Sequence, residues 1–322
     1  MPEAQHPVMT TAGPLAREPV RALARRLFDR IDLAFDAAFG ARDNPWRVLG
    51  GLAWLLFWIV AATGIYVYAA FDTSAQGAYA SVERITANAW PLSGLARSLH
   101  RYASDAFLLV AVLHLAREWA HRRYAHVQRY AWLTGVVLVG FVYASGIGGF
   151  WLVWDRLAQF SIVATTEWLD ALPVFSEPLA RNFDADAKIG DRLFSLLIFL
   201  HIGIPLATLA AMWIHVQRLQ RPMTHAPRGL AWGTLVSLAA VSLAKPVTSA
   251  APASLSSTPA SLDLDWFYLA PHALQYLWSP QALWALVAAA TLLLLLVPYG
   301  SRAAREARRP VAVVTLANCN GC

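Results

Sequence analysis

The sequence has few charged residues and almost no cysteine. Asp, Glu, Lys and Arg make up 14% of its 322 residues, compared with about 25% in an average soluble domain. The only cysteines, Cys319 and Cys322, lie at the C-terminal end, so no disulfide framework can hold the rest of the chain together. Since 57% of the residues are hydrophobic, we expect a membrane protein rather than a soluble enzyme.

Lysine is also scarce, because 24 of the 26 basic residues are arginine, in short clusters between apolar runs. That distribution is typical of membrane flanks and does not predict a nucleic-acid-binding face. Residues 1–47 contain no short apolar core followed by small residues, so no secretory signal is predicted. We therefore expect the first apolar run to stay in the membrane.

Six apolar runs have about the length that crosses a bilayer as a helix, although the fifth is shorter. In chain order, spans A to F cover residues 48–71, 95–119, 132–154, 193–216, 230–243 and 282–299. Before them, residues 20–39 combine apolar side chains with arginines, which predicts an amphipathic helix on the membrane surface. The fold class is therefore an all-α membrane protein with about six transmembrane helices.

Six spans place both termini on the same side of the membrane as the B–C and D–E loops. These segments hold 18 Lys and Arg residues, whereas those of the opposite side hold 4. The positive-inside rule then predicts that both termini are cytoplasmic. Residues 155–190 form a long C–D loop that faces outward in this topology.

Four of the nine histidines lie inside spans, as two pairs with the same spacing of 14 residues. His100 and His114 lie in span B, and His201 and His215 in span D. Fourteen residues make nearly four helical turns, so both members of a pair lie on one helix face, about 21 Å apart. Because spans B and D run in the same direction, we expect His100 to face His201 near the outer surface and His114 to face His215 near the inner one.

Each facing pair offers the two axial imidazoles of a six-coordinate haem that transfers electrons. The alternative is a set of polar contacts between membrane helices. A zinc site is less favoured, because its ligands cluster within about one turn. Spans A and C carry glycines with the same 14-residue interval, which would let the backbone approach a porphyrin edge: Gly50, Gly64, Gly135 and Gly149.

Two arginines flank the histidines of span B. Arg97 precedes His100 by three residues, and Arg117 follows His114 by three. Haem propionates need cations, so both arginines are candidates to bind them at the two membrane faces. The alternative for both is ordinary anchoring at the membrane interface.

Several motifs resemble cytochrome b of the quinol-oxidising cytochrome bc complexes and its shorter plastid-type relative, over roughly residues 20–245. The motifs are Arg97-Ser-Leu-His100-Arg-Tyr-Ala-Ser, His114-Leu-Ala-Arg117, Trp132-Leu-Thr-Gly135, Gly149-Phe-Trp-Leu-Val-Trp154-Asp155, Leu172-Pro-Val-Phe-Ser-Glu-Pro178 and the His201/His215 pair. The resemblance implies a four-helix bundle with two b haems and a quinone site toward each membrane face. The haem ligands it implies are His100 with His201 and His114 with His215.

The resemblance also suggests how the chain is divided. Residues 1–47 are expected to form a cytoplasmic segment with the amphipathic helix, and residues 48–220 the dihaem bundle. Residues 221–300 should form a further membrane region with two spans and an outer loop, before a cytoplasmic tail at 301–322.

Some positions depart from the family pattern. Leu196 stands where the family usually has a propionate-binding arginine, and Val153 stands in place of a proline. The segment Leu264-Asp265-Trp266-Phe267-Tyr268 resembles the outer quinol-site motif Pro-Glu-Trp-Tyr but is altered at three of four positions. Asp265 is either a proton acceptor for quinol or a loop acid beside an aromatic membrane anchor. Arg221 is either an inner quinone contact or a basic interface residue.

The C-terminal Cys319-Asn-Gly-Cys322 resembles the opening of a ferredoxin-type cluster motif, which needs four thiolates. Either the chain is truncated, or the pair is redox-active or shared with a partner near the inner haem. The other five histidines are expected to be solvated: His6, His121, His126, His225 and His272.

The sequence thus predicts a dihaem b-type subunit, in a bacterial inner membrane, that carries electrons between quinone and protein partners. In a bc-type complex those partners are an iron–sulfur protein and a c-type cytochrome. One alternative is a dihaem anchor that links a cytoplasmic iron–sulfur dehydrogenase to quinone. Another is a non-catalytic, haem-bearing assembly scaffold, and the subunits that copurify would distinguish the three.

Overall fold

The computed structural model describes residues 19–87, 91–125, 128–174, 176–183, 189–217, 219, 222–257 and 261–300. These residues form helices and connecting turns, and no β-strand occurs among them. The helices are α1 (Pro19–Asp43), α2 (Leu49–Ala70), α3 (Ala78–Ala87), α4 (Pro91–Ala120), α5 (Arg129–Val153), α6 (Arg156–Asp170), α7 (Asp191–Gln217), α8 (Arg228–Ala244), α9 (Ala270–Leu274) and α10 (Pro280–Gly300). Short 3₁₀ turns cover Pro45–Val48 and Ala180–Phe183.

Helices α2, α4, α5, α7, α8 and α10 coincide with spans A to F. Four segments in the described part of the chain are long and apolar enough to cross a membrane: Pro45–Ala70, Arg129–Val153, Asp191–Gln217 and Pro280–Gly300. Helix α8 is apolar but has 17 residues, and α4 has two histidines and several charged residues within its 30. The prediction of an all-α membrane protein is confirmed.

The predicted amphipathic helix is α1. It buries Phe28 and Asp32, while Leu23, Leu27 and Leu33 remain exposed. Gly40 interrupts its helical geometry with a φ of 78°, in the left-handed region that favours glycine. Its position on the membrane surface stays a prediction.

The C–D loop prediction was incomplete, because residues 155–190 contain helix α6. Trp154 ends α5 in the left-handed conformation, and Asp155 then caps α6 by accepting the Ala158 N–H at 2.8 Å. An aspartate at this position satisfies an otherwise unpaired amide of the first helical turn. Residues 156–170 of the predicted loop are therefore helical.

The helices cluster into two compact units. The first contains α1 to α4 and α8, and its core includes Leu56, Phe57 and Phe107. The second contains α5 to α7, α9 and α10, and in it Trp154 packs edge-on against Phe194, with ring centroids 5.2 Å apart. The most extensive packing joins α2 to α4 in the first unit and α5 to α7 in the second.

Candidate functional site

In the first unit, two glycines of α2 lie against the two histidines of α4. A Cβ atom added at Gly64 would lie 2.8 Å from Cε1 of His100, and one added at Gly50 would lie 3.6 Å from Cε1 of His114. Gly64 follows Gly50 by 14 residues in α2, whereas its partner His100 precedes His114 by 14 residues in α4. The two helices are therefore antiparallel, and each glycine marks a point where the α2 backbone approaches an imidazole.

The second unit repeats this arrangement with α5 and α7. A Cβ at Gly149 would lie 3.2 Å from Cε1 of His201, and one at Gly135 would lie 3.6 Å from Cε1 of His215. All four glycines of the 14-residue pattern therefore lie beside the four histidines of the matching pattern. The sequence predicted glycines at a porphyrin edge, and each lies next to an imidazole of its own unit.

Backbone carbonyls orient two of the imidazoles. Nδ1 of His100 lies 3.0 Å from the carbonyl oxygen of Val60, and Nδ1 of His201 lies 3.1 Å from that of Ser145. Each carbonyl comes four residues before the glycine that contacts the same ring. A hydrogen bond at Nδ1 fixes the ring orientation and puts Nε2 on the opposite side, as in many histidine ligands of metal centres.

Threonines directly precede two of the glycines, and their hydroxyls contact the imidazoles of His100 and His215. Thr134 Oγ1 lies 2.9 Å from Nδ1 of His215, and Thr63 Oγ1 lies 3.3 Å from Nδ1 of His100. Our sequence reasoning missed both threonines. The Thr-Gly dipeptide repeated in spans A and C was the signal that could have revealed them. Nδ1 of His114 lies 3.9 Å from Oε1 of Glu118.

Arg117 is buried at the C-terminal end of α4. Its Nη2 lies 2.5 Å from Oδ2 of Asp32 in α1. Its Nε is buried and has no hydrogen-bond partner in the part of the chain that the structure describes. Nε can therefore still donate a hydrogen bond to a carboxylate such as a haem propionate.

Arg97 is also buried, but several partners surround its guanidinium. It contacts the hydroxyl of Thr86 in α3, the hydroxyl of Ser249 at 2.8 Å and the carboxylate of Glu83 at 3.6 Å. These contacts connect α3 and the segment after α8 to α4.

Together, these residues fit the needs of a b haem. Imidazoles are its usual axial ligands, glycines let a helix backbone approach each ring, and the buried Nε of Arg117 lacks an acceptor among the described residues. Among the described residues, no group of three or more His, Cys, Asp and Glu side chains could hold a metal ion.

Asp265 shapes a turn at the surface of α5. Its Oδ1 accepts the backbone N–H groups of Phe267 at 3.0 Å and Tyr268 at 2.8 Å. Tyr268 is fully buried, and its ring occupies the space that a Cβ at Gly146 would take. The hydroxyl of Tyr143 donates to the carbonyl of Tyr268 at 2.7 Å. The segment that resembles an outer quinol site is thus anchored on α5.

The expectation that His272 is solvated was wrong. This residue of α9 is 1% exposed, and its Nε2 lies 2.8 Å from Oγ1 of Thr165 in α6. Burial lowers the pKa of His272 to about 4, and the Leu269 carbonyl partly opposes this change. His121 is also largely buried, with its Nε2 3.1 Å from Oδ1 of Asp29. Tertiary packing that the local sequence does not reveal explains both differences.

Other predicted residues have simpler outcomes. Leu196 is exposed on α7, and His225 is exposed as expected. Three candidate site residues lie outside the described part of the chain, as do two of the predicted loop histidines: Arg221, Cys319, Cys322, His6 and His126.

A family model described as Cytochrome b/b6/petB matches residues 40–223, a range that includes all four histidines of the predicted spans. A solved structure named "Hyperthermophilic respiratory Complex III" is similar in fold, with a TM-score of 0.62 and 19% sequence identity. The structural match covers 79% of this chain and 75% of that chain. At this identity the likeness supports the fold alone.

Proposed function

Because this chain belongs to the cytochrome b family of membrane electron-transport proteins, we propose that it is the dihaem subunit of a bc-type quinol oxidoreductase. In this proposal His100 and His201 bind the iron of the outer haem, and His114 and His215 that of the inner haem. The observation that carries the proposal is the fourfold contact between a glycine and a histidine. The pairing of histidines from the two units rests on their spacing in the sequence.

The surrounding residues have defined tasks in this proposal. The Val60 and Ser145 carbonyls and the Thr134 hydroxyl lie at Nδ1 of their histidines, so that Nε2 of each ring would be left to bind a haem iron. Arg117 would hold an inner-haem propionate through its buried Nε, and Arg97 would be the corresponding cation on the outer side. When bound, each b haem supplies a one-electron carrier, and the two together would span the bilayer.

We assign a quinol or quinone site to each membrane face from the chemistry of one residue. Asp265 is the proposed proton acceptor on the outer side, and Arg221 is the proposed quinone contact on the inner side. An iron–sulfur protein and a c-type cytochrome would take the electrons that do not cross through the haems. The protein would reside in a bacterial inner membrane with both termini cytoplasmic.

The second candidate is a dihaem anchor that passes electrons from a cytoplasmic iron–sulfur dehydrogenase to quinone. One observation favours it: Asp265 Oδ1 is engaged by two backbone amides, a structural role that needs no quinol. Cys319 and Cys322 would then belong to the relay from the dehydrogenase, with a cluster shared with that partner.

The first test is the haem content of the purified protein. We expect two low-spin b haems per chain by pyridine haemochrome analysis, since two histidine pairs are available. Replacing His114 or His215 with Ala should remove the inner haem and leave most of the outer one. Exposed His225 offers a matched control, and His225→Ala should retain both haems. One haem or none in the wild-type protein would overturn the dihaem assignment.

The second test separates the two candidate functions. Asp265→Asn keeps an Oδ1 that can accept the two backbone N–H groups but removes the basic carboxylate. If quinol is oxidised on the outer side, we expect intact haem spectra and quinol turnover lowered by about 100-fold, as is typical of losing a general base. Unchanged turnover in Asp265→Asn would favour the dehydrogenase anchor, for which Arg221→Ala should be the damaging change.

A further inference from the structure

A buried ion pair joins α1 to the C-terminal end of α4. Asp32 and Arg117 are 6% and 5% exposed, and Arg117 Nη2 lies 2.5 Å from Asp32 Oδ2. The net stability gained from such a pair is small, because the cost of removing both charges from water offsets much of their attraction. The main effect of the pair is therefore to fix the position of Arg117, and it adds little to the stability of the helix packing.

Each member of the pair retains a buried polar atom with no hydrogen-bond partner among the described residues. These atoms are Oδ1 of Asp32 and Nε of Arg117. Buried polar groups of native proteins are rarely left unsatisfied, so an unpaired donor inside a helix bundle calls for an acceptor. Arg117 follows His114 by three residues and so lies on the same side of α4, about one turn away.

Further hydrogen bonds hold the two partners in place. The fully buried Asn44 donates from Nδ2 to the carbonyl oxygen of Asp32 at 3.0 Å. Nδ1 of His121 lies 2.9 Å from the carbonyl oxygen of Arg117, and its Nε2 lies 3.1 Å from Asp29. The backbone carbonyls of Asp32 and Arg117 therefore accept hydrogen bonds while their side chains pair with each other, so the Arg117 guanidinium has little freedom to turn.

We propose that Asp32 is a positioning residue for the inner haem, holding Arg117 by Nη2 so that Nε faces a haem propionate. The inference rests on the proposed ligation of that haem by His114. Because Asp32 contacts Arg117, one turn from His114, its negative charge would lie near the inner haem and favour the ferric form. Removing this charge should raise the midpoint potential, and the Arg117 charge that it no longer neutralises acts in the same direction.

The test is Asp32→Asn in the complete protein, followed by redox titration of both haems. We expect two haems per chain, an outer haem that titrates as in the wild type, and an inner haem whose reduction equilibrium constant rises about tenfold, about 59 mV. Asp43→Asn is the matched control, because Asp43 lies at the end of α1, 11 residues from Asp32, and is partly exposed. This control should leave both potentials unchanged.

Each of the other possible results supports or contradicts the proposed role of Asp32. An Asp32→Asn protein with two haems and an unchanged inner potential overturns the role of Asp32. If Asp32→Asn loses the inner haem, Asp32→Glu decides: recovery of that haem supports the proposal, and continued loss assigns Asp32 to packing alone. A wild-type protein without the inner haem overturns the proposed function instead, so the two failures are distinguishable.

Discussion

Individual side chains decide how each imidazole is held. Carbonyl oxygens face Nδ1 of His100 and His201, a hydroxyl faces that of His215, and the nearest acidic oxygen to Nδ1 of His114 is 3.9 Å away. The partner at Nδ1 sets the orientation and basicity of a ligating imidazole. The two histidine pairs therefore have the same 14-residue spacing, but the four rings have different surroundings.

His272 gives a prediction at the same scale, for the pH dependence of stability. Its pKa falls from an ordinary 6.5 to about 4 on burial, so the unfolded chain binds more protons between these values. The free energy of unfolding should be highest above pH 6.5 and decrease as the pH falls toward 4. The full contribution is about 3 kcal/mol, at 1.36 kcal/mol for each unit of pKa.

Thermal unfolding of the wild type and of His272→Gln, measured between pH 7 and 4.5, checks this prediction. Glutamine keeps a side chain that can bond to the Thr165 hydroxyl but does not titrate. We expect the wild type to lose stability more steeply as the pH falls. Parallel curves for the two proteins would show that His272 contributes nothing to acid sensitivity.

At the level of helices, the α2–α4 and α5–α7 pairs have the same arrangement of contacts. In each pair, glycines on one helix contact histidines on the other, and a threonine precedes one of those glycines. The contacts are not equally tight, because Gly64 has the least room and Gly50 and Gly135 have ordinary van der Waals space. The pair that contains Gly64 should therefore tolerate an added methyl group least.

Gly64→Ala is the corresponding prediction. Its Cβ would lie 2.8 Å from His100 Cε1, closer than carbon atoms pack, so the ring must shift. We expect a lower content of the outer haem and a retained inner haem, measured by optical spectra. Gly140→Ala in α5 is the matched control, since a Cβ there has no atom within 4 Å. Equal haem contents in both variants would contradict the steric explanation.

For the whole molecule, the membrane topology follows from the distribution of charge. Lys and Arg number 18 in the segments of one side and 4 in those of the other, and such asymmetry normally sets the orientation of membrane proteins. This asymmetry predicts that helix α6 lies in the outward loop and that α1 lies on the cytoplasmic side.

Reporter fusions test this topology. A reporter fused after Cys322 should be active only in the cytoplasm, because six predicted spans separate it from the cytoplasmic N-terminus. One inserted after Asp170 should be active only in the periplasm, because three predicted spans precede that position. Periplasmic activity of the C-terminal fusion would mean an odd number of spans. It would also place Cys319 and Cys322 on the wrong side for a relay from a cytoplasmic dehydrogenase.

The sequence by itself determined the six helices of spans A to F, the family resemblance and the equal spacing of histidines and glycines. These features are local or periodic: a run of about 20 apolar residues forms a helix in a bilayer, and a 14-residue interval returns to the same helix face. Neither depends on what packs against the helix, so spans A to F coincide with six helices.

Only the tertiary structure decided the partners of individual side chains. Asp32 is 85 residues from Arg117, and His272 is 107 residues from Thr165, so no local pattern could pair them. Tyr268 likewise lies 122 residues from Gly146, whose missing Cβ leaves room for the Tyr268 ring. A hydrogen-bond partner is selected by burial and by distance in space, and both become defined only when distant segments pack together.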